Sequence, residues 1–336
     1  MKSQSVFVGD NRLINFSLGR EIMKEHIKVF TGSNEVQWLY SQDWEYHDYG
    51  NCKRYLQIIF PYKREMKKEE KYPLILFIPG SAWHKQEMYN DIPQYATLAK
   101  CGYVVAVMQY RESDIASFPA QVDDVCNALK FIPTIAENFH IDTERIFLMG
   151  NSSGGHIVMM TTLFSEHGLC EKITKISGVI LESASTDILI CSKAPLPPWM
   201  QVRPSAALLG VDKIEGNEEL AKKASCEMYI TKEINLPAVL LLHSELDPIV
   251  SVENSRVLYD TLVAAGHQAD YYELEGNDAH GGATYYDSQV LNIIQKFCRA
   301  HMDYFGTHYA KDGKKNGISY SVSRGEVVDP VLDASR

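Results

Sequence analysis

The sequence lacks any large cluster of basic residues, and its formal net charge is −10. The basic runs that do occur are short, Lys63-Arg64 with Lys67-Lys68 and Lys311 with Lys314-Lys315. Binding to phosphates needs clustered Lys and Arg side chains. The composition therefore argues against a nucleic-acid partner and against an anionic membrane surface.

Long apolar runs are also missing. No stretch of about 18 uninterrupted apolar residues occurs, which excludes a membrane-spanning helix. In residues 1–30 charged side chains such as Arg12, Arg20 and Lys24 interrupt every hydrophobic run, so we find no signal-peptide core there. We therefore expect a soluble, cytoplasmic protein.

Cysteine pairs of the kind that bind zinc or form a disulfide framework are absent. The seven cysteines are odd in number, widely spaced and without a C-x-x-C pair. They are typical of small buried hydrophobic residues in a reducing compartment. The sequence suggests neither a metal nor an organic cofactor.

What the chain does contain is a regular alternation of strand-like and helix-like segments. Residues 36–40 and 53–60 alternate with a period of two and predict an antiparallel pair at a sheet edge. Apolar runs typical of buried parallel strands follow at 74–78, 103–108, 146–149, 177–181 and 238–243, and a further strand is predicted at 269–274. Helical segments lie between them, one of them opened by Pro119 and interrupted or kinked at Pro133. This order predicts an α/β fold with a doubly wound, mostly parallel sheet and helices on both faces.

Three regions depart from this alternation. Residues 1–34 show weak helical periodicity (Ile14, Leu18, Ile22, with Ile27 beyond) and could form an N-terminal arm or part of a homodimer contact. Within the main domain, 35–305, the proline-containing stretch 183–236 is either a small cap insertion over the site or an excursion that packs on the outer surface. Residues 306–336 are polar and Gly-rich, and we expect a C-terminal tail.

The segment Gly150-Asn151-Ser152-Ser153-Gly154-Gly155 carries the clearest chemical signal. It follows the apolar run ending at Met149 and precedes another that begins at Ile157, which predicts strand, sharp turn and helix. A Gly-x-Ser-x-Gly motif in this setting is typical of a nucleophile elbow, which exposes the serine above a helix N-terminus. Ser152 is therefore the candidate nucleophile.

A serine nucleophile needs a base and an acid that orients it, and in sheets of this type the chain order is Ser, acid, His. Asp247 follows the strand ending at His243, and His280 lies on a Gly-flanked loop after the strand ending at Leu274. These two residues are the candidate acid and base. Their competitors are Glu245 and Asp278 for the acid and His84, His156 and His243 for the base.

Acyl transfer also requires donors for the oxyanion that forms on the carbonyl oxygen. One candidate is the backbone N–H of Ser153, directly after the nucleophile. The other is the N–H of Ser81 or Ala82, at the end of an earlier strand. Trp83 and, in the insertion, Trp199 are candidates for contact with the substrate.

Across residues 50–305 the chain resembles an α/β-hydrolase of the esterase/lipase group, closest to the BD-FAE-like branch that includes acetyl esterases and feruloyl-esterase-like hydrolases. Pro79-Gly80-Ser81-Ala82-Trp83 stands where that branch usually has His-Gly-Gly-Gly-Trp. The segments around 110–111, 118–124 and 150–156 are similar to the family's run from oxyanion loop to elbow, and Asp247 and His280 match its acid and base.

These features together predict a serine carboxylic-ester hydrolase with a small-molecule ester as substrate. Ser152 would attack the ester carbonyl, His280 would transfer the proton, and Asp247 would orient His280. The resemblance alone implies a short acyl ester, such as an acetylated or cinnamoylated sugar. A prolyl-oligopeptidase-like serine peptidase is one alternative, although no propeller-sized domain of repeated strands precedes the elbow. A non-catalytic relative that binds a ligand in the same pocket is the other.

Overall fold

The N-terminal region forms a small unit of its own in the computed structural model. The structure describes residues 35–173, 176–196 and 202–302, together with the backbone of two N-terminal strands, β1 (Gln4–Val8) and β2 (Arg12–Phe16). The two strands pair antiparallel, with Gln4 opposite Phe16. The helical prediction is therefore wrong at Ile14, which lies in β2. The helical periodicity of this segment is weak, and pairing with β1 satisfies its backbone N–H and C=O groups instead. Leu18, Ile22 and Ile27 lie outside the described residues.

The second unit, Val36–Arg336, is built on an eight-stranded sheet. Its strands are β3 (Gln37–Asp48), β4 (Lys53–Tyr62), β5 (Tyr72–Ile78), β6 (Val104–Met108), β7 (Ile141–Asn151), β8 (Ile176–Glu182), β9 (Val239–Ser244) and β10 (Ala269–Leu274). Their order across the sheet is β10-β9-β8-β7-β5-β6-β4-β3. The pairs β3 with β4 and β4 with β6 are antiparallel, and all the other pairs are parallel. The predicted doubly wound sheet with its antiparallel edge is confirmed.

Helices cover both faces of this sheet. The longer helices are α1 (Ile92–Lys100), α2 (Ala120–Ile135), α3 (Ser152–Glu166), α7 (Glu253–Ala264) and α8 (Ser288–His301). Helices α1 and α8 share one apolar core with the sheet, and α2, α3 and α7 share the other. Helix α2 continues through Pro133 and ends at Ile135, because a proline this close to the C-terminus removes only one of the last hydrogen bonds.

The central strands explain why the apolar runs in the sequence are continuous. Strands β6, β8 and β9 are buried along their whole length, since helices pack on both of their faces. Strand β10, at the edge, alternates between half-buried and exposed positions instead. Parallel strands end at one edge of the sheet, and this edge collects the loops that follow β5, β7, β9 and β10.

The segment between β8 and β9 contains four short helices among its described residues. These are α4 (Ile188–Lys193), α5 (Pro204–Leu208), α6 (Glu218–Lys223) and a 3₁₀ helix, Cys226–Tyr229. The last of these helices contacts the beginning of the segment, since Cys226 N–H donates to the carbonyl of Thr186 at 2.9 Å. It is thereby anchored at the same sheet edge as the loops.

Candidate active site

The turn between β7 and α3 holds Ser152 in an unusual backbone conformation. Its φ is +52°, in the left-handed region that non-glycine residues seldom adopt. The turn is possible because its neighbours are glycines: a Cβ on Gly154 would lie 1.9 Å from the carbonyl oxygen of Ile78, and one on Gly150 would lie 2.7 Å from Gly154 C. Strand and helix backbones thus approach closely, as the Gly-x-Ser-x-Gly spacing predicted.

His280 lies within hydrogen-bond distance of both Ser152 and Asp247. It lies on the loop between β10 and a 3₁₀ helix, Gly282–Tyr286. Its Nε2 is 3.0 Å from Ser152 Oγ, and its Nδ1 is 2.8 Å from Asp247 Oδ2. With Nδ1–H donating to the carboxylate, Nε2 is left as the acceptor for the serine proton. Three residues from three separate loops therefore form one hydrogen-bonded chain.

The side chain of Asp247 is fully buried but well supplied with donors. Its Oδ1 accepts the N–H groups of Ile249 at 2.8 Å and Val250 at 3.0 Å. Burial alone raises the pKa of this carboxyl, but hydrogen bonds from His243 and His280, the charge of His280 and the Val250 N–H outweigh burial and hold the pKa well below its ordinary value. Asp247 is therefore ionised at neutral pH.

His243 is a part of this arrangement that the sequence reasoning missed. The sequence suggests it only as a competing base inside a strand, and it does lie in β9, fully buried. Its Nδ1 is 2.7 Å from Ser255 Oγ, its Nε2 is 3.0 Å from the carbonyl oxygen of Val250, and that same nitrogen is 3.5 Å from Asp247 Oδ2. The signal available in the sequence was that His243 lies only four residues before Asp247, near the end of the preceding strand, which brings the two side chains close together.

The other competitors have different positions. Glu245 accepts the N–H of Gly276 at 2.7 Å and so connects two exposed loops rather than reaching His280. His156 is fully buried, and burial lowers its pKa to about 4, so it is neutral. Within the described part of the chain no hydrogen bond joins Asp278 to the His280 ring, whose Nδ1 bonds Asp247, and none joins the His84 ring to Ser152.

The loop after β5 lies against the elbow. Gly80 N–H donates to Asn151 Oδ1 at 2.6 Å, and Ser81 N–H donates to Ser153 Oγ at 2.9 Å. Of the two predicted donors in this loop, Ser81 has therefore already used its N–H. The N–H of Ala82 has no acceptor among the described residues, and Ser153 N–H is in the first turn of α3, where helix N–H groups have no intrahelical partner.

Trp83 differs from the prediction that it forms a substrate-contacting wall. Only 3% of its surface is exposed, and its Nε1–H donates to His156 Nδ1 at 3.1 Å. His156 Nε2–H in turn donates to the carbonyl of Ala224 at 2.7 Å. Trp83 therefore connects the loop to helix α3 and to the segment between β8 and β9, instead of presenting a face to a ligand. Trp199, the other predicted contact residue, lies outside the described residues.

The described residues also bear on metals and membranes. Within these ranges no cluster of three or more His, Cys, Asp or Glu side chains is arranged to hold a metal ion. Among the helices that the structure describes, none has the length and apolarity needed to cross a bilayer. All seven cysteines are free thiols.

Comparisons with known proteins identify the family of this chain. A model of the BD-FAE family matches residues 57–262. Esterase LipC of Mycobacterium tuberculosis is 22% identical over 66% of this chain and 56% of its own length. A probable isoprenylcysteine alpha-carbonyl methylesterase of Oryza sativa subsp. japonica is 25% identical over 61% of this chain and 50% of its own. The chain thus spans about half the length of these curated relatives.

Solved structures show the same fold. A truncated carbohydrate esterase from gut microbiota superposes with a TM-score of 0.66 at 22% identity, covering 80% of this chain and 98% of that one. An esterase of Thermogutta terrifontis, with propionate bound, superposes with a TM-score of 0.59 at 20% identity, covering 76% and 92%. The family model covers more than half of the sequence, and the chain therefore belongs to the BD-FAE family of α/β-hydrolase-fold proteins.

Proposed function

We propose that this protein is a serine carboxylic-ester hydrolase. The observation that carries the proposal is the chain from Ser152 Oγ through His280 to Asp247, with distances of 3.0 and 2.8 Å. A hydroxyl that is hydrogen-bonded to an imidazole acceptor, itself fixed by a buried carboxylate, has the arrangement needed for nucleophilic attack. The names of the relatives, esterases and carboxylic ester hydrolases, support the same activity.

In the proposed reaction Ser152 Oγ bonds to the ester carbonyl carbon while its proton passes to His280 Nε2. The negative charge that develops on the carbonyl oxygen is stabilised by the N–H groups of Ala82 and Ser153. His280 then returns the proton to the departing alcohol, which leaves an acyl-enzyme on Ser152. Water, deprotonated by the same imidazole, releases the acid and restores the serine.

Asp247 has two roles in this reaction. Its ionised carboxylate fixes the tautomer with the proton on His280 Nδ1, and it stabilises the imidazolium that forms while Nε2 holds the serine proton. The depressed pKa of Asp247 ensures that the charge is present throughout the neutral range. No metal or organic cofactor takes part in these steps.

For the substrate we propose short acyl esters, including acetyl or feruloyl esters of sugars. The family match and the named activities of the structural neighbours support this class: one is a carbohydrate esterase, one holds propionate, and one is an acetyl ester-xyloside bifunctional hydrolase.

The test is hydrolysis of p-nitrophenyl esters from acetate to octanoate, together with acetylated xylose, methyl ferulate and a proline-type amide. Ser152→Ala is the matched control, and an organophosphonate tests covalent labelling of Ser152. We expect ester turnover that disappears in the variant and is highest for short chains. Preferential cleavage of the amide would instead indicate a peptidase, and the absence of both turnover and labelling would indicate a binding protein.

A further inference from the structure

Two side chains of the elbow, one on each side of Ser152, hold the loop after β5. Asn151 Oδ1 accepts the N–H of Gly80 at 2.6 Å, and Ser153 Oγ accepts the N–H of Ser81 at 2.9 Å. The next N–H along the chain, that of Ala82, has no acceptor in the described part of the protein. Two consecutive donors are thus fixed by the elbow, and the third is left for a ligand.

The loop needs such restraint because its backbone is strained. Ala82 has a φ of +55° and Trp83 a φ of +60°, in a region that favours glycine. Non-glycine residues persist in this conformation only where surrounding contacts over-determine it. Glycines would adopt this backbone without strain, whereas Ala82 and Trp83 need side-chain contacts around them to hold it.

Three hydroxyl groups provide these contacts. Ser81 Oγ–H donates to the carbonyl oxygen of His84 at 2.5 Å, because that oxygen can only accept. Ser81 Oγ must therefore accept from Tyr110 OH, 2.8 Å away. Tyr110 has only one hydroxyl proton, so in its 3.2 Å contact with Ser153 Oγ it is the acceptor and Ser153 Oγ–H is the donor.

The directions of these bonds follow from counting protons, and the chain closes on itself. Ser81 N–H donates to Ser153, Ser153 to Tyr110, and Tyr110 back to Ser81. Tyr110 and Ser153 are completely buried, so water cannot replace a missing member. Tyr110 is itself fixed at the end of β6, where its N–H donates to Gln86 Oε1 at 2.9 Å.

We propose that Tyr110 and the side chain of Ser153 are positioning residues that hold the Ala82 N–H where the oxyanion forms. This inference rests on the proposed esterase function. It assigns the two residues no contact with the substrate through their side chains; they act through the backbone of residues 80–83. It also explains why Ser153, although adjacent to Ser152, is not a second nucleophile: its hydroxyl proton is already donated to Tyr110.

The experiment compares Tyr110→Phe with Tyr46→Phe. Tyr46 is also buried, and its hydroxyl donates to the carbonyl of Gln109 at 2.6 Å, beside Tyr110 but away from the loop. Both variants lose one buried hydroxyl near the end of β6, and only Tyr110→Phe opens the hydroxyl chain. For each we would measure kcat and KM for p-nitrophenyl acetate, and the affinity for a trifluoromethyl ketone, which forms an oxyanion on Ser152.

Removing an oxyanion donor outright lowers turnover by about 10²–10³. A misplaced donor should cost less, and we expect kcat to fall about tenfold in Tyr110→Phe with KM within about twofold. Ketone affinity should weaken by the same factor as kcat/KM. We expect Tyr46→Phe to stay within about twofold of the wild type in all three quantities.

The outcomes separate this inference from the proposed function. If the wild type neither hydrolyses esters nor labels with phosphonate, both are wrong. If the wild type is active and Ser152→Ala is not, but Tyr110→Phe keeps the wild-type kcat or changes only KM, the positioning role alone is wrong. Should Tyr110→Phe fail to fold, Ser153→Ala, which keeps the backbone N–H, is measured by the same criteria.

Discussion

Two buried carboxyl groups lie at the same edge of the sheet, and their protonation differs. Asp247, in the loop after β9, accepts two backbone N–H groups and interacts with two histidines. Glu182, the last residue of β8, is 1% exposed, and its Oε1 has no hydrogen-bond partner among the described residues. The pKa of Asp247 lies well below its ordinary value, whereas burial and the charge of Asp91 raise the pKa of Glu182 to about 8.

The difference shows that burial alone does not decide the charge of an acid. Burial raises the pKa of both carboxyls, and only the donors around Asp247 reverse the direction. No such donor bonds Glu182 Oε1 in the described part of the chain, where the buried hydroxyl of Tyr286 also has no partner, and Asp91 repels the charge of the carboxylate. Asp247 is therefore ionised at pH 7, whereas the Glu182 carboxyl is mostly protonated.

The two groups should therefore affect stability in opposite directions with pH. Asp247 stabilises the folded protein above its unfolded pKa, near 3.8, and this contribution is lost as the pH falls towards the lower folded value. Glu182 has the higher pKa in the folded state, so the unfolded chain holds fewer protons between about pH 4.5 and 8. Over that window its contribution to stability falls as the pH rises.

The largest effect is expected from Asp247→Asn. The amide cannot stabilise the imidazolium and favours the wrong tautomer of His280, so kcat should fall by about 10³–10⁴. The check is kcat, with kcat/KM, for p-nitrophenyl acetate at pH 7. Glu245→Gln is the matched control, since Glu245 only connects two exposed loops, and it should stay within about twofold. A loss of less than tenfold in Asp247→Asn would contradict the assignment of the acid.

Glu182→Gln should produce the next largest effect, on stability rather than on catalysis. The neutral amide removes the cost of ionising a buried carboxyl, so the stability gain over the wild type should grow by roughly 1 kcal/mol per pH unit between pH 5 and pH 8. Urea unfolding at pH 5, 6.5 and 8 measures it. A difference independent of pH would show that Glu182 is already ionised in the folded protein.

His243→Phe tests the other side of the comparison at smaller scale. Phenylalanine keeps a flat aromatic ring at this buried position, but Ser255 Oγ and the carbonyl of Val250 lose their partner, and Asp247 loses one neighbour. We expect a loss of about 1–3 kcal/mol in unfolding free energy. The kcat should also fall, by less than in Asp247→Asn. Ser255→Ala removes only the hydroxyl that bonds His243 Nδ1, on the side of the ring away from Asp247. It should lower stability while kcat stays within about twofold. An equal loss of kcat in both variants would contradict a role of His243 through Asp247.

The smallest change is expected from Tyr286→Phe. Its hydroxyl is buried without a partner in the described residues, so removing it should raise the unfolding free energy by about 1 kcal/mol. Tyr285→Phe is the matched control, because its hydroxyl bonds Ser183 Oγ at 2.5 Å and accepts Ser244 N–H at 3.0 Å. Thermal unfolding of both variants gives the answer: Tyr286→Phe should melt higher than the wild type and Tyr285→Phe lower. The reverse order would mean that the Tyr286 hydroxyl has a hydrogen-bond partner in the folded protein.

Much of the fold was predictable because the signals are local. The apolar runs that begin at Leu74 and Val104 have no polar positions, which is typical of strands covered on both faces. These runs are too short for a typical helix, and the neighbouring Gly and Pro residues favour turns at their ends. The chain order of Ser152, Asp247 and His280 was also readable in sequence, and the structure brings the three within hydrogen-bond distance.

Other features depend on contacts between residues far apart in the chain. The strand β2 was missed because its partner β1, not its own periodicity, satisfies its backbone. The burial of Trp83 follows from His156 and, behind it, from Ala224 in the segment between β8 and β9. No pattern in one stretch of sequence reports such a contact, since neither residue constrains the other until the chain has folded.

The sequence by itself determined the order of the strands and longer helices of the eight-stranded sheet, the sharp turn at Ser152 and the residue types needed for acyl transfer, because each depends on neighbours within a few positions. Only the tertiary structure decided which carboxyl is ionised, which N–H of residues 80–82 remains free, and that His243 lies beside Asp247. Protonation and hydrogen-bond satisfaction are set by all the groups around an atom in space, and the loops that supply those groups meet only at the edge of the folded sheet.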